Sequence, residues 1–169
     1  MCFNIKEYGA VGDGVTLDTA AIQRAMDACA QAEGGTVFVP PGCFLTGTLM
    51  LHSHVELHIA RGATLLGSTE LDRDFAPDEP REEPLYQDHS HSYFHHSLLY
   101  GEHLENVAIT GGGIIDMQSA WEQHDGRGPM RRGAKIVALR ECRGVTVTGL
   151  TLRNATDLAL YFAGCESVR

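Results

Sequence analysis

The side chains of this 169-residue sequence best suited to chemistry are its histidines, carboxylates and cysteines. Histidines cluster twice: His52, His54 and His58 at even spacing, then His89, His91, His95 and His96 in one short segment. On an extended strand the first three would share a face, a geometry that a metal ion can use. No cysteine stands beside them at zinc-type spacing and even spacing alone is unspecific, so no metal and no cofactor is expected. Carboxylates concentrate between Glu70 and Asp88, where eight acidic residues and three prolines occur. Acid–base chemistry needs carboxyl groups fixed on rigid elements, and this stretch reads as a solvated loop. The five cysteines (Cys2, Cys29, Cys43, Cys142, Cys165) are odd in number and include no CxxC pair. They read as free, largely buried thiols of a reducing compartment rather than a disulfide framework or a nucleophile. GAVGDG and ITGGG lack the strand-to-helix phosphate fingerprint and read as turns.

Composition narrows the class of protein. A 43% hydrophobic, 21% charged chain is ordinary globular composition, and 19 glycines favour a turn-rich β protein. A formal charge of −9 argues against a nucleic-acid partner, and no apolar run reaches the length of a membrane span. The charge is uneven. Residues 127–169 hold eight Lys/Arg against three Asp/Glu, whereas residues 1–126 hold five against nineteen. A basic C-terminal half suits an anionic ligand. No secretory leader is legible at the start, so the expected location is cytoplasmic.

The elements that must position these residues follow from periodicity. FNIKEYGA reads as a first strand and GAVGDGVT as a glycine turn. Leu17–Ala32 reads as a helix with Ile22, Ala25, Met26 and Cys29 on one face, Asp18 or Thr19 as N-cap and Gly34-Gly35 as its stop. Short strands follow. Cys142 and Cys165 lie 23 residues apart, as do Val145 and Val168, Leu139 and Phe162, and Val137 and Leu160. A fixed period of that size with β-branched residues and glycine turns marks a solenoid. Val107 and Val145 lie 38 apart, which is one coil plus an insertion over Met117–Gly133. Stacking equivalent positions gives two inward columns, Leu99/Val137/Leu160 and Leu104/Cys142/Cys165, and one outward column, Tyr100/Ala138/Tyr161. A carboxylate at Ala138 is therefore expected to be tolerated where one at Val137 is not. The fold expected is all-β, a right-handed parallel β-helix over residues 1–169 as one domain, with the N-terminal α-helix as its cap.

The segments FNIKEYGAVGDGVTLDTAAIQRAMDAC, GGTVFVPPGCFLTGTLMLHSHVELHIARGATLLGS, LLYGEHLENVAITGGGIID with Trp121 downstream, and VTVTGLTLRN resemble the pectate-lyase-like β-helix superfamily. Within it they are most similar to the polygalacturonase-type glycoside hydrolases, family 28. The first segment is shared with tail-spike and glucanase relatives, and the others are more specific. The resemblance implies inverting hydrolysis of pectin-type galacturonan, with carboxyl groups roughly 6.5–9.5 Å apart. It places that chemistry beyond NATDLALYFAGCESVR, on an Asn-x-Asp motif, an Asp-Asp pair, a Gly-His-Gly and an Arg-x-Lys. None of these is present as a set. Asp116 belongs to GIID, a turn motif in the family, and is not assigned as catalytic.

What the resemblance implies is thus the N-terminal portion of such a hydrolase, with C-terminal coils missing, no catalytic residue in 1–169 and no activity of the chain alone. The alternative is a non-catalytic carbohydrate-binding or structural β-helix module. The substrate-binding residues it suggests are Tyr161, outward on the last coil beside where the catalytic coils would begin, with Asp157 and Arg153 near it. Expected partners are a galacturonan-like polysaccharide or oligosaccharide, no nucleic acid and no membrane. Self-association through an open C-terminal end is also expected, because uncovered strand edges template pairing.

Overall fold

A computed structural model describes residues 1–77, 94–120 and 133–169. His89, His91, Trp121 and most of the acidic stretch lie outside the described residues. Among the described residues, fifteen strands in chain order build three parallel sheets. Sheet A stacks β1 (Cys2–Asn4), β3 (Gly35–Val39), β6 (Val55–Ile59), β9 (Glu105–Gly111), β12 (Arg143–Val147) and β15 (Glu166–Val168). Sheet B stacks β2 (Asp13–Leu17), β4 (Gly42–Thr46), β7 (Ala63–Gly67), β10 (Ile114–Asp116) and β13 (Thr151–Arg153). Sheet C stacks β5 (Leu49–Met50), β8 (Ser97–Glu102), β11 (Lys135–Arg140) and β14 (Leu160–Ala163). Successive coils visit A, B and C in turn, with α1 in place of the first sheet C strand, the connectivity of a right-handed parallel β-helix.

The 23-residue register read from sequence is the one the sheets adopt. Val137 pairs with Leu99 on one side and Leu160 on the other, and Val145 sits between Val107 and Val168. Inward columns run Val37–Leu57–Ile109–Val147 in sheet A and Phe44–Leu65–Ile115–Leu152 in sheet B. The sheet C column is Leu49–Leu99–Val137–Leu160. These columns fill the lumen, with Phe44, Leu57, Leu65, Leu99 and Val137 fully buried.

The N-terminal cap is built differently from the sequence expectation. The first strand stops at Asn4, whose side chain accepts a hydrogen bond from the Lys6 amide and opens a 3-10 turn over Ile5–Tyr8. The segment read as a glycine turn runs into β2, which pairs with β4. The helix α1 (Thr19–Gln31) consequently starts two residues later than expected, in the place where a first sheet C strand would stand. Its buried face is Ile22, Ala25, Met26 and Cys29, as the spacing predicts. Asp18 sits at the N-cap position without capping the helix. Its carboxylate accepts from the Val11 and Gly12 amides at 2.6 and 2.9 Å, tying the preceding loop to the cap.

The corners are unequal. Passage from sheet C to sheet A takes a short turn, with left-handed backbone at His103 and Asn106, then Glu141 and Gly144, then Gly164 and Ser167. Only Gly144 and Gly164 escape the Cβ penalty of that conformation. Every long insertion instead falls between sheet B and sheet C, over residues 68–96 and 117–134.

One expectation fails on the outer face of sheet C. Ala138 stacks between Tyr100 and Tyr161 in the alternate register, as predicted, yet it is fully buried. Phe94 lies across this face, 6.5 Å from the Tyr100 ring and 6.2 Å from the Tyr161 ring. A methyl group is what the space beneath it admits. Val137→Asp and Ala138→Asp should therefore both lower stability by at least about 3 kcal/mol, each burying a carboxylate. Chemical denaturation of the two variants checks this, and a mild loss at Ala138 alone would refute the covered face.

Candidate functional site

The covered outer face of sheet C carries three of the ion pairs found among the described residues. On the strand neighbours β8 and β11, Glu102 accepts from Arg140 Nε at 3.0 Å and from a second guanidinium nitrogen, and meets His95 Nε2 at 2.5 Å. The Arg140 guanidinium also lies over the Phe94 ring, 4.9 Å from its centre. Burial of Glu102 works against its charge, but the hydrogen bonds from Arg140 and His95 outweigh it and hold the carboxyl below its ordinary value. Burial, with the Glu102 charge adding to it, pushes the Tyr100 phenol up and keeps it protonated.

At the other end of the face Lys135, 1% exposed, reaches Asp157 at 3.2 Å and lies 5.8 Å from the Tyr161 ring centre. Two of the three sequence-predicted binding residues, Tyr161 and Asp157, are thus joined through a lysine that the sequence reading passed over. The third, Arg153, stands on β13 of sheet B and donates from Nε to Asp116 at 2.8 Å. The GIID segment is the strand β10 rather than a turn. Asp116 at its end is 7% exposed and also accepts from the Asn154 side chain and the Gln118 amide. Burial opposes its ionisation, and the bonds from Gln118, Asn154 and Arg153 overcome that, so its carboxyl too is held down.

The first histidine group does not share a face. His52 bonds Asp27 of α1 at 2.8 Å, His54 occupies a left-handed turn beside Asn106, and His58 stacks on Phe38 and bonds Thr110. Among the described residues no three His, Cys, Asp or Glu side chains are grouped as a metal ion requires. All five cysteines are free, and burial pushes the Cys142 thiol up. Two cavities open beside the edge of sheet C. One of about 300 Å³ is lined by His52, His95, Glu102 and Leu104. The other, about 380 Å³, is lined by Gln23, Thr48, Asp74 and Phe75. Met50 and Tyr100 line both.

The stacked coils and the helical cap define a right-handed parallel β-helix. Residues 2–70 match the family described as "Rhamnogalacturonase A/epimerase, pectate lyase-like". The chain resembles polygalacturonase-type hydrolases. It is 42% identical over 121 residues to an exo-poly-alpha-D-galacturonosidase of Dickeya chrysanthemi, covering 67% of this chain and 19% of that protein. It is 32% identical over 161 residues to a probable polygalacturonase of Vitis vinifera, covering 90% of this chain and 32% of that one. The exopolygalacturonase of Thermotoga maritima superposes with a TM-score of 0.81 at 25% identity, over 99% of this chain and 45% of its own. The chain spans 19% and 32% of the length of those two curated relatives.

Two outcomes follow from the ion pairs. Lys135→Met strands the Asp157 carboxylate, which is 12% exposed, and should cost about 3–5 kcal/mol. The double variant Lys135→Met with Asp157→Leu should recover much of that in a denaturant titration. Glu102 and Asp116 have folded-state pKa values below their ordinary 4.5 and 3.8, so the unfolded chain binds protons first. Their stabilisation is complete above those values and is lost as pH falls through the lowered ones. Glu102→Gln should make the acid limb of the stability–pH curve shallower, measured by denaturation midpoints below pH 4.5.

Proposed function

We propose that this chain supplies the N-terminal coils of a polygalacturonase-like glycoside hydrolase that cleaves pectin-type galacturonan by inverting hydrolysis. The observation that carries the reading is the 42% identity to the Dickeya exo-poly-alpha-D-galacturonosidase over 121 residues. In this reading the outer face of sheet C borders the substrate, with Tyr161 as a stacking surface and Asp157 beside it, and Arg153 extends the contact from the neighbouring sheet B. The basic segment 127–169 attracts the polyanion.

The catalytic carboxylates lie on coils beyond this sequence. Inverting hydrolysis asks for one protonated carboxyl as acid and another as base. Glu102, Asp116 and Asp74 are held ionised by guanidinium, imidazole, hydroxyl or amide donors. That pairing also favours the second reading for the chain by itself, a non-catalytic carbohydrate-binding module.

The test is hydrolysis of polygalacturonate followed by reducing-end release. The chain alone should give none above buffer, and the chain continued through the coils bearing the Asp-Asp pair should be active. Activity of the chain alone that one substitution within residues 1–169 abolishes would overturn the assignment of the chemistry. Inactivity of the continued protein would overturn the hydrolase reading.

A further inference from the structure

Two of the five cysteines stand on neighbouring rungs of the coil stack. Cys142 lies just beyond β11 and Cys165 just beyond β14, each at a corner from sheet C to sheet A. The residues before them, Glu141 and Gly164, both take left-handed backbone, with φ of 53° and 63°. Ladder bonds hold the pair level from both sides. The Glu141 amide donates to the Ala163 carbonyl at 2.8 Å, and the Glu166 amide to the Cys142 carbonyl at 2.8 Å. Parallel strands in register set such Cα atoms about 4.8 Å apart. That separation falls within the roughly 4.4–6.8 Å that a disulfide spans.

The thiols donate to carbonyl oxygens in the same pattern, one coil apart. Cys142 Sγ lies 3.6 Å from the Gly101 oxygen and 3.3 Å from that of Arg140. Cys165 Sγ lies 3.4 Å from the Leu139 oxygen and 3.7 Å from that of Ala163. A thiol is a weak donor, so either can turn toward its neighbour at small cost. Burial, with the Cys165 thiol adding to it, pushes the Cys142 thiol up. None of the other three cysteines has a cysteine level with it. Cys2 pairs across the sheet with Thr36, Cys43 with Asp13 and Thr64, and Cys29 belongs to α1.

We propose that Cys142 and Cys165 form a reversible disulfide site, oxidised by a small-molecule disulfide, that clamps the coil of β14 and β15 to the coil of β11 and β12. Cys165 is partly exposed and Cys142 is buried, which sets the order of events. The Cys165 thiolate attacks one sulfur of the small disulfide, whose S–S bond breaks and releases one thiol. The Cys142 thiolate then attacks the Cys165 sulfur and releases the second. The two cysteines lose two electrons and two protons, and the small disulfide gains them as two thiols. The bond joins the coil that carries Tyr161 to the coil that carries Lys135, so oxidation pins the two ends of the sheet C ion-pair face together. The proposal does not rest on the hydrolase reading.

The test is incubation of the full chain with glutathione disulfide, alkylation of the remaining thiols, and mass spectrometry of a tryptic digest. Cys142 is the one cysteine of peptide 141–143 and Cys165 that of peptide 154–169, so a link between them is read directly. Oxidation should join these peptides with the loss of two hydrogens, and dithiothreitol should part them. The oxidised chain should melt about 5–10 °C above the reduced one, because the bond shortens the free loop of the unfolded chain. Cys142→Ser and Cys165→Ser should each abolish both the linked peptide and the rise. Both cysteines recovered as free thiols, a glutathione adduct left standing on Cys165, or a linked chain that melts no higher overturns the proposal.

Discussion

Every feature of this molecule depends on in-register stacking of one coil on the next. Parallel strands about 4.8 Å apart leave no room for a residue to choose its own neighbour. Val137 must lie between Leu99 and Leu160, and Leu65 between Phe44 and Ile115. A slip of one residue would turn each lumen column outward. The constraint explains the intolerance at Gly111, where an added Cβ would stand 2.0 Å from the Ile59 carbonyl oxygen of the adjacent coil. It also explains why charged groups on sheet C appear as rungs, with Glu102 held level with Arg140 by the ladder itself.

A ladder of this kind makes ion pairs in fixed geometry, and that shapes the chemistry of the described face. Asp116 and Arg153 are cross-strand partners in sheet B, as Glu102 and Arg140 are in sheet C. Such carboxylates are poor acid catalysts because their charged form is the stabilised one. They are good scaffolding, orienting His95 over one cavity and Asn154 beside the turn that follows β13.

The lumen was legible in the sequence because a 23-residue period brings apolar residues into columns without reference to anything distant. The covered face was not. Ala138 reads as an outward residue of an alternating strand, yet Phe94, 44 positions earlier and outside the repeat, packs on the tyrosines to either side of it. Lys135 precedes four apolar residues of β11 and signals nothing until Asp157 is seen beside it. Asp18 has the residue type and place of a helix cap, but the Val11 and Gly12 amides compete for its carboxylate and win. Tyr161 and Asp157 were placed together by their nearness in sequence, whereas Arg153, equally near, sits on another sheet. In each case the deciding partner comes from a segment that the periodic signal does not cover.

The unequal corners divide the labour of the chain. At the turn from sheet C to sheet A, backbone conformation leaves little freedom, and His103, Glu141 and Gly164 repeat the same left-handed step. At the corner from B to C, the chain adds residues without altering the rise of the coil. A lineage built this way can lengthen or exchange the segments over one face while the strands beneath keep their register. Recognition can then diversify almost independently of stability, and two descendants of one scaffold can differ in what they grip while remaining superposable strand by strand.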